Sequence, residues 1–147
     1  ISRAQYNLGV MYRNKRDEPQ NSKTAVKWYR LAAKHGHAFA QYNLGVMYDK
    51  GKSVRRNYKT AIKWYRRAAK QGHAGAQNNL GTMYTIGQGV IKDYVRAHMW
   101  FNIASSLGNK DNALKNRNEI KRYMTSSQIT KAQTLASACV RKNYERC

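Results

Sequence analysis

The sequence predicts an all-helical protein made of three tandem helix-pair repeats, followed by a C-terminal pair of capping helices. The first observation is a 36-residue period: residues 40–74 match residues 4–38 at 23 of 35 positions and residues 76–110 at 14 of 35. A fixed period of roughly 20–50 residues is typical of a repeat array. The second observation is that the chain has one proline and no run of valine and isoleucine of the kind that forms strands.

Each repeat is interpreted as two antiparallel helices, A and B. In the second repeat, helix A begins near Ala38 and carries an apolar stripe at helical spacing that includes Leu44 and Met47. Gly45 lies inside this helix, where glycine costs up to ~1 kcal/mol relative to alanine. Because Gly9 and Gly81 recur at the same place, we expect a close approach between helix A and its partner.

Helix B of each repeat lies between an N-cap residue and a terminal glycine. Asparagine and aspartate are good N-caps, and a left-handed glycine is a usual C-terminal signal. The loop over residues 13–20 lacks the glycines of the later loops, so we expect it to differ from them in shape. The predicted N-caps are Asn21, Asn57 and Asp93, and the predicted stops are Gly36, Gly72 and Gly108.

The residues after Gly108 break the period and predict a cap for the open end of the array. We expect one helix over Asn109–Met124 and a last one after Thr125, where Thr125 and Gln128 have capping-box spacing. Three basic helix B positions of the second repeat become apolar in the third, as expected where capping helices pack: Val95, Met99 and Ile103 replace Lys59, Lys63 and Arg67.

These assignments predict one domain over residues 1–147. The repeats are placed at about residues 4–38, 40–74 and 76–110, and the capping helices at about residues 110–145. Because Ile1 falls inside a predicted helix, we expect the chain to be truncated at its N-terminus. No apolar run approaches the ~18 residues of a membrane span, so we expect a soluble segment.

The charge balance points to acidic partners. The chain has 28 Lys and Arg against 7 Asp and Glu, a formal net charge of +21. Such a field favours acidic protein surfaces, nucleic acid or anionic lipid. If Cys139 and Cys147 belonged to one continuous helix, they would lie about 12 Å apart, beyond the roughly 7 Å that a disulfide allows. They can pair only if the chain turns back after Asn143, so the redox compartment stays open.

The repeat pattern closely resembles the Sel-one-like repeat, a relative of the tetratricopeptide repeat. The resemblance implies a right-handed α/α superhelix that serves as a non-enzymatic scaffold or adaptor, and it implies a bacterial protein for which a periplasmic or secreted location is one option. The cysteine-rich branch of the family is not matched, since the repeats contain no cysteine. The matching residues are Ala40, Leu44, Gly45, Tyr48, Gly51, Val54, Ala61, Trp64, Tyr65, Ala68, Ala69, Gly72 and Ala74.

The resemblance also implies a partner-binding groove lined by the outward residues of helix A. Asparagines can hydrogen-bond the backbone of an extended peptide, and tyrosines offer apolar area at low entropic cost. The alternative is that these side chains only help adjacent repeats to stack. The predicted concave residues are Tyr6, Asn7, Val10, Arg13, Tyr42, Asn43, Val46, Asn78, Asn79 and Thr82.

A second candidate is a basic stripe on helix B, which the resemblance places on the outer face. Like charges at i,i+4 destabilise a helix by a few tenths of a kcal/mol per pair, so their repetition suggests a polyanion site. The alternative is a solvated face that only keeps the protein soluble. The stripe comprises Lys23, Lys27, Arg30, Lys34, Lys59, Lys63, Arg66 and Lys70.

Catalytic chemistry has little support in the sequence. His37 and His73 are repeat-equivalent and are interpreted as structural, and His98 replaces the inward Val26 and Ile62. No carboxylate pair, metal-ligand spacing or nucleophile motif is apparent, so we expect no enzyme, cofactor or metal. The sequence predicts a scaffold that binds an acidic peptide or protein in its groove, with nucleic-acid or polyanion binding by the stripe as the alternative.

Overall fold

The computed structural model describes residues 1–14, 19–145 and 147. These residues form eight α-helices and one 3₁₀ turn and contain no strand, which confirms the all-helical prediction. None of the described helices is long and apolar enough to cross a membrane. The helices are α1 (Ser2–Asn14), α2 (Pro19–Lys34), α3 (Ala38–Lys50), α4 (Tyr58–Lys70), α5 (Ala74–Ile86), α6 (Tyr94–Leu107), α7 (Lys110–Ile120) and α8 (Ser126–Arg141), with the 3₁₀ turn at Lys121–Tyr123.

Residues 1–68 form the first of two compact units. Within it, α2 packs against both α1 and α3. The core is built from small and aromatic residues of the repeat pattern, because alanine lets the helices approach while tyrosine and tryptophan fill the remaining space. The buried cluster comprises Ala25, Val26, Tyr29, Ala32, Ala33, Ala40, Leu44 and Trp64.

Residues 69–147 form the second unit, in which α6 is the central helix and packs against α5, α7 and α8. The apolar replacements on α6 are partly or fully buried: Met99 and Ile103 are buried and Val95 is half-buried. Met99 lines a small cavity with Leu135 and Ala138 of α8. The terminal helices therefore cover this face of α6, as the capping interpretation predicts.

The three helix A glycines confirm the expected close approach. A Cβ atom at Gly45 would lie 2.6 Å from the ring of Tyr65, and one at Gly9 would lie 2.8 Å from the ring of Tyr29. A Cβ atom at Gly81 would collide with the Phe101 ring in the same way. Each aromatic ring of helix B thus lies against the bare backbone of helix A, where any side chain would collide.

The helix ends follow the predicted signals in most places. The side chains of Asn57 and Asp93 accept hydrogen bonds from the backbone N–H groups of Thr60 and Arg96. Gly36 and Gly72 have left-handed backbones with φ of 87° and 83°. The prediction for Asn21 is wrong, because α2 already begins at Pro19; proline is favoured in the first helical turn. The distinctive part of that loop, residues 15–18, lies outside the described residues.

Two repeated side chains join helix B to the next helix A. His37 is the N-cap of α3 and its Nδ1 accepts from the Ala40 N–H at 3.3 Å, while His73 does the same for Ala76 at 3.1 Å. The buried Gln77 donates to the carbonyl of Ala69 at 3.1 Å. The structural interpretation of the two histidines is confirmed, with helix capping as its physical basis.

The C-terminal segment turns back on itself. The predicted capping box is confirmed, since the Thr125 and Gln128 side chains each bond the other's backbone N–H. The predicted helix over Asn109–Met124 is shorter than expected, ending as α7 at Ile120 before the 3₁₀ turn. Asn143 and Tyr144 have φ of 52° and 64°, which reverses the chain after α8. Cys139 and Cys147 then form a disulfide with their Cα atoms 5.4 Å apart.

Candidate binding sites

The predicted concave residues of the first unit lie on α1 and α3 and differ in how deeply they are packed. Tyr6 stacks on His37 with ring centroids 4.5 Å apart, and Val10 packs against the buried cluster. Tyr42 lies 6.1 Å from the ring of Tyr65. Asn7 is exposed. The aromatic members therefore contribute to packing as well as to the surface.

Arg13, Asn43 and Val46 line one cavity of about 550 Å³ in the first unit. Its volume lies within the roughly 300–1,000 Å³ that is usual for a ligand pocket. Met47 adds apolar surface and Lys52 adds a second positive charge. The remaining lining residues are Ser22, Tyr29 and Ser53. We call this space the groove cavity.

Tyr29 gives the groove cavity an unusual buried hydroxyl. The side chain is 1% exposed and its hydroxyl makes no hydrogen bond of good geometry within the described residues. Burial raises the pKa of the phenol, while the Arg13 charge and a side-chain hydrogen bond from Asn43 oppose that shift. Because a hydrogen bond that lowers this pKa is donated to the phenol oxygen, it leaves the hydroxyl proton without an acceptor. A buried donor without an acceptor costs about 1–3 kcal/mol. The Tyr29 hydroxyl is therefore a donor for which the protein supplies no good acceptor.

The other repeats show how this hydroxyl is normally accommodated. In the second repeat, the equivalent Tyr65 donates to a carboxylate oxygen of Asp49 at 3.1 Å. In the third repeat the pair is replaced by Phe101 and Thr85, so no hydroxyl lies on the aromatic ring. The first repeat keeps the tyrosine but carries Arg13 where Asp49 stands. An acceptor has thus been exchanged for a positive charge.

In the second unit, part of the predicted concave face is engaged by α7. The side-chain oxygen of Asn78 accepts from the Asn116 amide at 3.2 Å, and the Thr82 hydroxyl donates to the Asn78 carbonyl at 3.2 Å. Thr82 also lines a smaller cavity of about 180 Å³ with Ile120. Asn79 is half-buried. Asn78 therefore contributes to packing between α5 and α7.

All eight side chains of the predicted basic stripe are exposed. Arg30 is held in place, since it donates to the Tyr48 hydroxyl at 2.8 Å. Lys63 lies 5.9 Å from the centre of the Trp64 ring and Arg67 lies 4.9 Å from it, within range of a weak cation–π attraction. The stripe is thus a surface of spaced positive charges, of which Arg30 also lines a cavity beside the loop between α3 and α4.

The histidines form no catalytic or metal arrangement in the part of the chain that the structure describes. No group of three potential metal ligands occurs there. His98 is 1% exposed, and neither ring nitrogen has a hydrogen-bond partner among the described residues. Burial lowers its pKa to about 4, assisted by the charges of Arg117 and Lys121. Burial also lowers the pKa values of His37 and His73.

Comparison with known proteins identifies the repeat. The sequence profile of the Sel1 repeat matches residues 2–37, 38–73 and 74–109, which together make up most of the chain. The chain belongs to the Sel1 repeat family. Proteins of this family are generally protein-interaction scaffolds without enzymatic activity, and their helix-pair solenoid is the fold class that the sequence predicts.

Two solved structures of Sel1 repeat proteins are similar to this chain. One is c5321, a protective antigen of uropathogenic Escherichia coli with an SLR fold, at 35% identity and a TM-score of 0.90 over 99% of this chain and 32% of that one. The other is a Sel1 repeat protein from Oxalobacter formigenes, at 34% identity and a TM-score of 0.69 over 76% of this chain and 46% of that one. The chain therefore spans about a third of the antigen's length. No curated protein sequence matches it.

Sequence reasoning missed several residues of the groove cavity in this Sel1 repeat protein. The sequence indicates Tyr29 only as the framework equivalent of Tyr65, and it indicates Lys52 only as a loop charge that adds to the basic stripe. Met47 and Ser53 are not among the predicted site residues. The signal for Tyr29 lies in the residue 16 positions before it, which is Arg13. In the second and third repeats, the residue at the same place is Asp49 and Thr85. A comparison of these pairs across the repeats identifies the unmatched hydroxyl.

Proposed function

We propose that this Sel1 repeat protein is a non-enzymatic scaffold that binds an acidic segment of a partner protein in the groove cavity. The observation that carries the proposal is the Tyr29 hydroxyl, a buried donor beside Arg13 with no well-placed acceptor. A ligand carboxylate pairs with the exposed Arg13 guanidinium, and it accepts from the Tyr29 hydroxyl once the side chains that cover this buried atom move aside. Such charge-assisted hydrogen bonds are roughly twice as strong as neutral ones.

The rest of the cavity favours a peptide over a free small acid. Val46 and Met47 offer apolar surface beside the charged groups, and methionine adapts to side chains of different shapes. Asn43 has both amide donors and an acceptor for a peptide backbone. The preferred segment therefore has an Asp or Glu next to an apolar residue, and Lys52 favours a second acid. The exposed Asn7 on α1 and the half-buried Val10 extend this surface.

A peptide selection with an Arg13→Asp variant tests the proposal. The substitution reproduces the Tyr65–Asp49 arrangement of the second repeat, so it supplies Tyr29 with an acceptor and removes the positive charge. Random peptides selected on the wild-type protein should be enriched in Asp or Glu beside an apolar residue. Their affinity for Arg13→Asp should fall by about tenfold or more, which corresponds to roughly 1.4 kcal/mol.

The matched control is Arg3→Asp, which makes the same charge change at an exposed position on α1. It should leave peptide affinity nearly unchanged. Far-ultraviolet circular dichroism should show that both variants are folded, and Arg13→Asp should be at least as stable as the wild type because Tyr29 gains an acceptor. Equal loss of affinity in both variants would show that net charge, and not the groove cavity, binds the peptide.

A second candidate function is polyanion binding by the basic stripe, which the eight exposed basic side chains support. Phosphate contacts make affinity fall steeply with salt concentration. Replacing Lys59, Lys63, Arg66 and Lys70 with Glu should abolish polyanion binding and leave peptide selection intact. If single-stranded DNA binds neither the wild type nor this variant in dilute salt, this second function is wrong.

We also propose that the protein works in an oxidising compartment, as the periplasm or an extracellular location would provide. The Cys139–Cys147 disulfide supports this, because such bonds persist mainly outside the reducing cytosol. Thiol labelling of the protein taken directly from its native cells tests the proposal. Free thiols at both cysteines would exclude an oxidising location.

A further inference from the structure

A second cavity of the first unit is lined by three arginines and has no role in the proposed peptide binding. It has a volume of about 520 Å³ and lies beside the loop between α3 and α4. Arg30 of α2 forms one side, and Arg55 and Arg56 of the loop form the other, together with Ser53 and Asn57. Only Ser53 is shared with the groove cavity. We call this space the arginine pocket.

Two of the three guanidinium groups are held by aromatic residues. Arg30 donates to the Tyr48 hydroxyl at 2.8 Å, and the guanidinium of Arg56 lies 5.7 Å from the centre of the Tyr58 ring. An ordered guanidinium loses less conformational entropy when it binds, so its planar set of donors is prepared for a ligand. The pocket is thus partly organised without a bound anion.

The positive charge of the pocket has little local compensation. Residues 1–68 carry 16 Lys and Arg against three Asp and Glu. Asp49 is the single acidic residue among those that the structure describes in this unit, and its carboxylate accepts from Tyr65. The ion pair between Arg96 and Asp93 belongs to the second unit. Mutual repulsion of the arginines therefore favours an anion from solution.

The third repeat shows that the fold does not require this pocket. Its equivalent loop has Ile91, Lys92 and Asp93 where the second repeat has Arg55, Arg56 and Asn57. There Asp93 forms the ion pair with Arg96 at 3.4 Å. The arginine cluster is thus an addition to the repeat framework, because the equivalent loop keeps its turn and N-cap without it.

From these observations we infer that the arginine pocket binds a small soluble phosphate or sulfate monoester. Guanidinium groups match the oxygens of phosphate and sulfate through paired hydrogen bonds. Asn57 places the N-terminal end of α4 at the pocket, and the helix dipole there favours negative charge. The pocket volume is within the roughly 300–1,000 Å³ range of small-molecule sites, which leaves room for the organic part of an ester. This inference does not depend on the groove cavity.

A titration followed by ¹H–¹⁵N correlation spectroscopy tests the inference on the full 147-residue chain. The probe is glycerol 2-phosphate at about 0.15 M NaCl, an ionic strength at which exposed charges are screened beyond roughly 8 Å. Saturable shifts are expected for the amides of Ser53, Arg55, Arg56 and Asn57. Sodium sulfate should compete for the same site, and sodium acetate at equal ionic strength should bind at least about tenfold more weakly, because a carboxylate carries one charge and two oxygens.

The double variant Arg55→Gln/Arg56→Gln should weaken glycerol 2-phosphate binding by about tenfold or more. The control Lys92→Gln changes the equivalent loop of the third repeat and should leave the affinity unchanged. Arg13→Asp should also bind the ester normally, which separates this site from the groove cavity. Shifts that do not saturate, equal shifts in the two loops, or equal affinity for acetate would each overturn the inference.

Discussion

His98 shows how one residue can break the repeat pattern and make stability depend on pH. It occupies the place of Val26 and Ile62 in the other repeats and is equally buried. Its two ring nitrogens lack partners within the described part of the chain. The charges of Arg117 and Lys121 oppose a further positive charge at this position, so the protonated imidazole is disfavoured in the folded state.

We predict that stability falls as the pH is lowered from about 6.5 to about 4. The folded pKa of His98 is about 4, below the unfolded value of about 6.5, so the unfolded chain binds the proton first. The difference corresponds to a loss of up to about 3 kcal/mol across this interval, with no further loss from this group below it.

The variant His98→Ile, which copies the second repeat, tests this prediction in urea unfolding measured at several pH values. It should flatten the pH dependence over that interval. His37 and His73 keep their lowered pKa values in this variant, so a smaller slope should remain. An unchanged pH profile would show that His98 is not the responsible group.

Packing between helices A and B depends on a glycine and an aromatic ring. We predict that Gly45→Ala destabilises the protein by about 1–3 kcal/mol, the usual cost of overpacking, because its Cβ would lie 2.6 Å from the Tyr65 ring. Alanine would otherwise stabilise a helix interior by up to ~1 kcal/mol. Urea unfolding should therefore show a lower free energy of unfolding for Gly45→Ala than for the wild type, whereas helix propensity alone would raise it.

A double-mutant cycle with Tyr65→Leu identifies the cause. If the ring is responsible, Gly45→Ala should cost less in the Tyr65→Leu background than in the wild type, because leucine can move away from the added methyl group. A cost that is the same in both backgrounds would attribute the effect to the α3 backbone and not to the contact with α4.

The framework of each element was predictable because its determinants are local or periodic. From the sequence alone, Gly45 predicts a close approach between two helices and Asn57 predicts an N-cap. Thr125 predicts a capping box in the same way. The disulfide was not predictable from spacing, because it requires Asn143 and Tyr144 to adopt left-handed backbones that their residue types do not signal strongly. The hydrogen bond between Asn116 and Asn78 was not predictable either, because the two residues lie 38 positions apart and Asn116 belongs to a helix that breaks the repeat pattern.

The candidate sites were only partly predictable for a similar reason. Arg13 was identified from its position on helix A, but its importance depends on the Tyr29 hydroxyl beneath it. Arg30 was assigned to the stripe by helical spacing, whereas its hydrogen bond to Tyr48 directs it to the arginine pocket. Periodicity predicts which face a residue occupies, and contacts between elements decide what that residue can bind.

At the scale of the whole molecule, the dominant physical property is the formal charge of +21. Self-repulsion of this size destabilises a compact state, and salt weakens it because the screening length is about 10 Å at 0.1 M. We predict that raising NaCl from about 0.02 M to about 0.3 M increases the thermal midpoint by a few degrees, equivalent to roughly 1 kcal/mol for a domain of this size.

Two variants of α4, each with one lysine replaced by glutamate, distinguish the effect of net charge on stability from the effect of the helix dipole. The first turn of α4 has no acidic residue, so Lys59→Glu adds a carboxylate at the positive end of the helix dipole and an i,i+4 pair with Lys63. We predict a gain of about 0.5–1 kcal/mol in dilute salt. Lys70→Glu makes the same change in net charge and pairs with Arg66, but it lies at the negative end of the helix, so its gain should be smaller.

Differential scanning calorimetry at both salt concentrations measures the two effects. Equal gains from the two variants would attribute the stabilisation to net charge alone, and no gain from either would show that self-repulsion does not limit the stability of this protein.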